Sequence, residues 1–287
     1  MPAVTTEAGP TYCLACGYDL RGTASTTCPE CGQAFDHDKL YTSAVPWERR
    51  DEIGRWRAFW RTCRGMTTNT RSFSQNSARP VSLDDALRFR RLVLLISYSS
   101  IVMMLLTYLV GLAWLEDLDW RGLVGEPGWF WVTAYLTWVP GLWCFLYALT
   151  GIHTYAFHPR SLPLERQNRA VALSYYACAP LAALPVLAMI MAMAFVASGF
   201  IDSSSFGWYD TAGLIVTIVW VGLGFGILAA WIRVTWVLAR LAAERGVIFC
   251  AAMTALLPLA WIGLAFLTLL LPTVLLSWIA LVMSTAS

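Results

Sequence analysis

LVLLISYSSIVMMLLTYLVGLAWL, residues 92–115, runs for 24 residues without a charged side chain. At 1.5 Å rise per residue such a helix would reach roughly 36 Å, enough to cross a hydrocarbon core of about 30 Å. SLDDALRFRR, residues 82–91, stands directly before it. Ser82 suits an N-cap, and Asp84 and Asp85 suit the positive end of a helix. Arg88, Arg90 and Arg91 then read as a basic stop at a membrane edge. Outward from this stretch, residues 129–152, 171–196 and 211–231 are further apolar runs of spanning length.

The final apolar tract, residues 247–283, would make a straight helix of roughly 55 Å, too long for one crossing. Two short spans joined near Gly263 explain it better and give six spans. The alternative is five spans, with an extension kinked at Pro258 or Pro272. Pro180 and Pro185 are expected to distort the third span. The expected fold class is an all-α polytopic membrane helical bundle, to which CLACG (residues 13–17) and CPECG (residues 28–32) add a small N-terminal zinc ribbon.

The ribbon is read from CLACG and CPECG, which place Cys13, Cys16, Cys28 and Cys31 as two C-x2-C pairs separated by eleven residues. Each pair grips one side of an ion, and together they complete a tetrahedron, the form of a closed structural Zn2+ site. Gly17 and Gly32 let the chain curl past the metal. Tyr12, Tyr18, Leu20 and Phe35 are candidates for a thin apolar shell. Four thiolates leave no open position for water, so the site is expected to be structural and not catalytic. Arg21 and Lys39 are the basic residues between Tyr12 and Tyr41, too few to indicate specific nucleic-acid binding.

From Tyr12 to Phe35 the chain resembles the zinc-ribbon family, through YCLACGYDLRG and CPECGQAF. The CGYDLRG form looks like a ribbon common at the N-terminus of planctomycete proteins. That resemblance implies a structural or protein-binding module and a bacterial setting. It covers less than a tenth of the chain and precedes many unrelated domains.

Charge is distributed unevenly. Residues 1–91 carry 13 of the 20 Lys and Arg and 10 of the 18 Asp and Glu, so the polar groups gather in a head. The chain is 58% hydrophobic and 13% charged, against roughly 25% charged for an ordinary soluble domain. The first thirty residues hold no apolar core of a signal peptide. Arginines at 160, 166 and 169, and at 233, 240 and 245, are read as lying in loops on one side. Glu116, Asp117, Asp119, Glu126, Asp202 and Asp210 are read as lying on the other. This positive-inside pattern predicts an integral membrane protein with a cytoplasmic N-terminus, and the ribbon resemblance implies the bacterial inner membrane. Reducing surroundings favour metal over disulfides there.

The expected domains are 1–40, the ribbon; 41–91, an amphipathic and polar cytoplasmic connector; and 92–287, the membrane domain. In WERRDEIGRWRAFWRTCR, residues 47–64, Trp47, Ile53, Trp56, Trp60 and Cys63 are expected on one helix face with arginines elsewhere, as for an interfacial helix. The rival is a helix packed on the protein. Trp114, Trp120, Trp129, Trp131 and Trp143 are candidates for an aromatic belt. Gly222 and Gly226 form a GxxxG pair.

The predicted span interiors lack Asp, Glu and Lys, which disfavours proton-coupled transport. His37, His153 and His158 show no metal-site spacing. No P-loop, GxSxG or dinucleotide fingerprint is present. The layout of polar head and closely spaced spans resembles Yip1-like multispan proteins, which implies membrane organisation in place of catalysis. The expected function is a noncatalytic integral membrane scaffold or adaptor, with membrane lipid and a protein bound at the ribbon as partners. The alternatives are a transporter or channel component, and a membrane lipid enzyme.

Overall fold

The computed structural model describes residues 12–13, 16–36, 42–74, 79–115, 140–148, 150–151, 154, 157–158, 164–190, 193, 206–265, 274, 278 and 282. These residues are mostly helical and contain no strand; two isolated bridges, Tyr12 with Asp19 and Thr27 with Ala34, are the β-type pairings among them. The all-α expectation therefore holds. The chain divides into two units. The first joins Met1–Leu92, His153–Pro180 and Ala230–Met253; the second joins Val93–Ile152, Leu181–Ala229 and Thr254–Ser287.

In the first unit, a 3-10 turn at Pro46–Arg49 leads into α1 (Arg50–Ile53), α2 (Arg55–Thr68) and α3 (Thr70–Ser74). The start of α4 (Leu83–Leu115) and α5 (Leu164–Tyr176) complete its core. Trp47 packs edge-on against Phe59 at 6.3 Å and Phe89 at 5.7 Å, and Phe89 meets Tyr176 at 5.1 Å. Each such pair contributes about 0.5–1.5 kcal/mol beyond its area burial. The polar edges are satisfied. Trp47 donates its backbone N–H to Thr62 Oγ1 at 2.9 Å and its indole N–H to the Asp85 carbonyl at 3.0 Å.

The reading of α4's start is met. Asp85 N–H donates to Ser82 Oγ at 3.2 Å, so Ser82 caps the helix. Glu48 Oε1 accepts from Ser82 N–H and from Tyr176 O–H, each at 3.1 Å, tying the cap to α5. Arg50 pairs with Asp85 at 2.9 Å.

The connector departs from the single amphipathic helix. Gly54 has φ 92° and ψ 133°, backbone that side chains rarely adopt, and it separates α1 from α2. The break resets the helical phase, so Trp47 and Trp56 do not share a face. Phe59, Cys63 and Met66 are buried, while Trp56 (65% exposed) and Trp60 (43%) face outward with Arg55, Arg57, Arg61 and Arg64. The connector is thus a packed element with an exposed Trp–Arg face. Arg90 also differs from its expected place at an exposed edge: it is buried, with its guanidinium 5.3 Å from the Tyr175 ring centre.

In the second unit, Ser97 Oγ donates to the Leu181 carbonyl at 3.0 Å, and Tyr98 meets Trp143 edge-on at 5.2 Å. The other four tryptophans of the predicted belt lie outside the described side chains. The expected distortion by Pro180 is present. α5 stops at Tyr176, a 3-10 turn covers Ala179–Ala183, and helix resumes over residues 184–190. Proline lacks the N–H that a continuous helix needs. Pro185 lies in the first turn of the resumed helix, where no such donor is required. A Cβ added at Gly222 or Gly226 meets no described atom within 4 Å, so the GxxxG pair is not at a close helix contact among the described residues.

Among the described residues, two helical stretches are long and apolar enough to cross a membrane by length and composition: Arg166–Ile190, which includes the 3-10 turn, and Gly222–Leu241. The predicted 211–231 span is part of a longer helix, α6 (Phe206–Leu241). Asp210, Arg233 and Arg240 therefore lie on this helix and not in loops. Helix persists past the apolar run because Trp231, Val234, Leu238 and Ala239 bury one side of it in the first unit's core. α7 (Val247–Ala265) continues through Pro258 and Gly263 without interruption. The predicted spans over residues 129–139 and beyond 265 lie largely outside the described residues, as do the acidic loops at 116–128 and 197–205 and Arg160.

Candidate metal centre

Each C-x-x-C is folded by its own short backbone bonds. Cys13 N–H donates to the Tyr18 carbonyl at 2.8 Å and Gly17 N–H to the Cys13 carbonyl at 2.9 Å. The second pair repeats the pattern: Cys28 N–H to Gln33 and Gly32 N–H to Cys28, both at 2.9 Å. Closing these turns puts Gly17 at φ 76° and Gly32 at φ 71°, where a Cβ would meet its own carbonyl. Phe35 N–H donates to the Thr26 carbonyl at 2.8 Å, closing the second turn.

The two turns bring all four Sγ atoms within 4.8 Å of one another. Cys13 to Cys31 and Cys16 to Cys28 are each 3.6 Å apart. A tetrahedral site with Zn–S near 2.3 Å has S···S edges of about 3.8 Å, whereas a disulfide is about 2.05 Å. All four are free cysteines. The geometry thus fits a four-coordinate ion, and the cluster can hold a metal. Among the described residues, no other group of three or more His, Cys, Asp or Glu is gathered closely enough to do so. His158 stands exposed outside the cluster, while His37 and His153 lie outside the described residues.

The thiols are unlike one another. Burial opposes the Cys28 thiolate, but N–H groups of Cys31 and Glu30 and neighbouring thiols bring Cys28 down to about 7. For Cys16 the Tyr18 N–H acts downward, yet burial and contacts with Cys31, Cys28 and Cys13 hold it up at about 12. These N–H···S contacts are the outer interactions that orient thiolate ligands and spread their charge. Cys13, Leu20 and Cys28 form the buried core, with Phe35 packed against it. Tyr18 is exposed, and so are Cys16 and Cys31.

Tyr12 lies elsewhere than in that core. The guanidiniums of Arg166 and Arg169 each lie 5.5 Å from its ring centre, so α5 supports the first turn by cation–π contact. Arg166 also pairs with Glu244 at 2.8 Å and comes so near Gly17 that an added Cβ would lie 3.3 Å from Nη1. The sequence reading missed this seat, since nothing at positions 166 and 169 signals an aromatic partner so far along the chain. Arg21 is bound by Asp19 in a local ion pair.

No family model, curated protein or solved structure matches the chain. The planctomycete-ribbon and Yip1-like resemblances accordingly gain nothing from comparison.

Proposed function

We propose that this chain is a noncatalytic integral membrane scaffold or adaptor. A Zn2+-held ribbon, residues 1–40, would offer a protein-binding surface in the cytoplasm of a bacterial cell, and a polytopic helical domain would hold it at the inner membrane. The observation that carries this reading is the gathering of Cys13, Cys16, Cys28 and Cys31 within 4.8 Å. An all-thiolate tetrahedron is the donor set of structural zinc. Such a closed site orders a small module whose core is too slight to fold alone, and metal binding supplies that free energy.

Three further observations support the same reading. The ribbon is seated on α5 through Tyr12, while Tyr18 and the outer cysteines remain exposed. The exposed Trp56 and Trp60 among arginines suit contact with lipid headgroups. Among the described residues, two helical stretches have the length and apolarity to cross a bilayer.

Affinity capture with the full chain, compared with a Cys28→Ser/Cys31→Ser variant that remains in the membrane, tests the adaptor role. Partners lost with the ribbon support it. Identical partner sets contradict it.

A further inference from the structure

A cleft of about 430 Å³ lies within the first unit, between the junction of α2 and α3 and the end of α6. Three arginines line it. Arg71 comes from α3, and Arg233 and Arg240 come from α6. The latter two are seven residues apart, two helical turns, and therefore share a face with Trp236 between them. Thr68 and Asn69 add polar atoms at the opposite wall. No carboxylate lines the cleft.

The charge of this lining is thus of one sign. Arg49 is paired with Glu52, Arg50 and Arg88 with Asp85, and Arg166 with Glu244. Among the described residues, Arg71, Arg233 and Arg240 have no ion pair. Arg233 donates one guanidinium N–H to the Thr67 carbonyl at 3.1 Å, which fixes its head at the cleft and leaves its other donors for a ligand. Three positive charges around one cleft favour an anion there. Guanidinium forks match phosphate oxygens in pairs. The cleft is of small-molecule size and larger than inorganic phosphate needs, and Trp236 and Leu241 give it an apolar side.

We infer that this cleft binds a phosphate monoester or other phosphate-bearing anion, held by Arg71, Arg233 and Arg240. The same chemistry is offered by a lipid headgroup and by a soluble phosphate compound. The lipid source rests on the membrane reading above; phosphate binding itself does not.

Isothermal titration of the detergent-purified full chain tests this with three probes: short-chain phosphatidic acid, short-chain phosphatidylcholine and inorganic pyrophosphate. The expected result is saturable binding of phosphatidic acid, pyrophosphate or both. It should weaken with added salt and by about tenfold or more for each of Arg71→Gln, Arg233→Gln and Arg240→Gln. Arg240→Lys should fall between wild type and Arg240→Gln, because it keeps the charge and loses the fork. Arg21→Gln, an exposed ribbon arginine paired with Asp19 and outside the cleft lining, should leave binding unchanged. Phosphatidic acid alone identifies a headgroup site, and pyrophosphate alone a soluble ligand. No binding of either probe overturns the inference. So does equal binding of phosphatidylcholine, or loss with Arg21→Gln equal to that with Arg240→Gln. The altered side chains are exposed, and the salt dependence of the wild type gives a readout that needs no variant. Phosphate binding without ribbon partners, or the reverse, separates this inference from the adaptor role.

Discussion

Gly32 and Glu48 show how much rests on single residues. Gly32 holds φ 71° in the second knuckle, with open space where a Cβ would stand. Gly32→Ala therefore isolates backbone strain, about 1–2 kcal/mol, from steric clash. It should weaken metal retention in a chelator competition by roughly tenfold. Gly17→Ala adds crowding against Arg166 and should weaken it further; equal metal retention in wild type and both variants would contradict the knuckle geometry.

Glu48 bonds two donors from other elements. Glu48→Ala strands the Ser82 N–H and the buried Tyr176 O–H, at a cost of about 1–3 kcal/mol each. Glu48→Gln keeps an accepting oxygen. Burial raises the Glu48 carboxyl above its ordinary 4.5, with nearby Asp85 acting in the same direction. The folded chain therefore holds this proton to higher pH than the unfolded chain. The associated stability is complete below 4.5 and is lost as pH rises through the raised folded value. Thermal unfolding against pH should show a shallower decline in Glu48→Gln than in wild type; parallel curves would contradict this.

Among the elements, α2 separates what the sequence exposed from what it hid. The cap at Ser82 was legible because a short polar residue before two acids has a local cause. The break at Pro180 was legible because proline's missing N–H is local too. The buried side of α2 was not legible. Gly54 resets the phase by a backbone angle that composition does not reveal, and Phe59's partner Phe89 is distant in sequence. Phe59→Ala should cost about 3–5 kcal/mol in denaturant unfolding. Trp56→Ala and Trp60→Ala should each cost under about 1 kcal/mol, because their rings are exposed. The opposite order would restore the face predicted from spacing. α6 hid the cleft for a related reason. Hydropathy marks where the chain is apolar, but helix continues wherever one side is buried, so Arg233 and Arg240 looked like loop charges.

Across the whole molecule, the four cysteines were legible because C-x2-C spacing fixes thiol positions through two short turns. Their seat on α5 was not, since Arg166 and Tyr12 meet over a long separation in sequence. Membrane topology depends on summed apolarity and arginine placement, and the buried arginines at 90 and 169, with Arg233 on a helix, weaken a reading based on loop charge alone. If the positive-inside reading is right, an N-terminal epitope will be labelled after permeabilisation and not in intact cells.

Elemental analysis of the purified full chain tests the central claim most directly. One tightly held zinc per chain is predicted, retained through dialysis and absent from Cys13→Ser/Cys28→Ser. A wild-type chain purified under reducing conditions, folded and without bound metal, would contradict it.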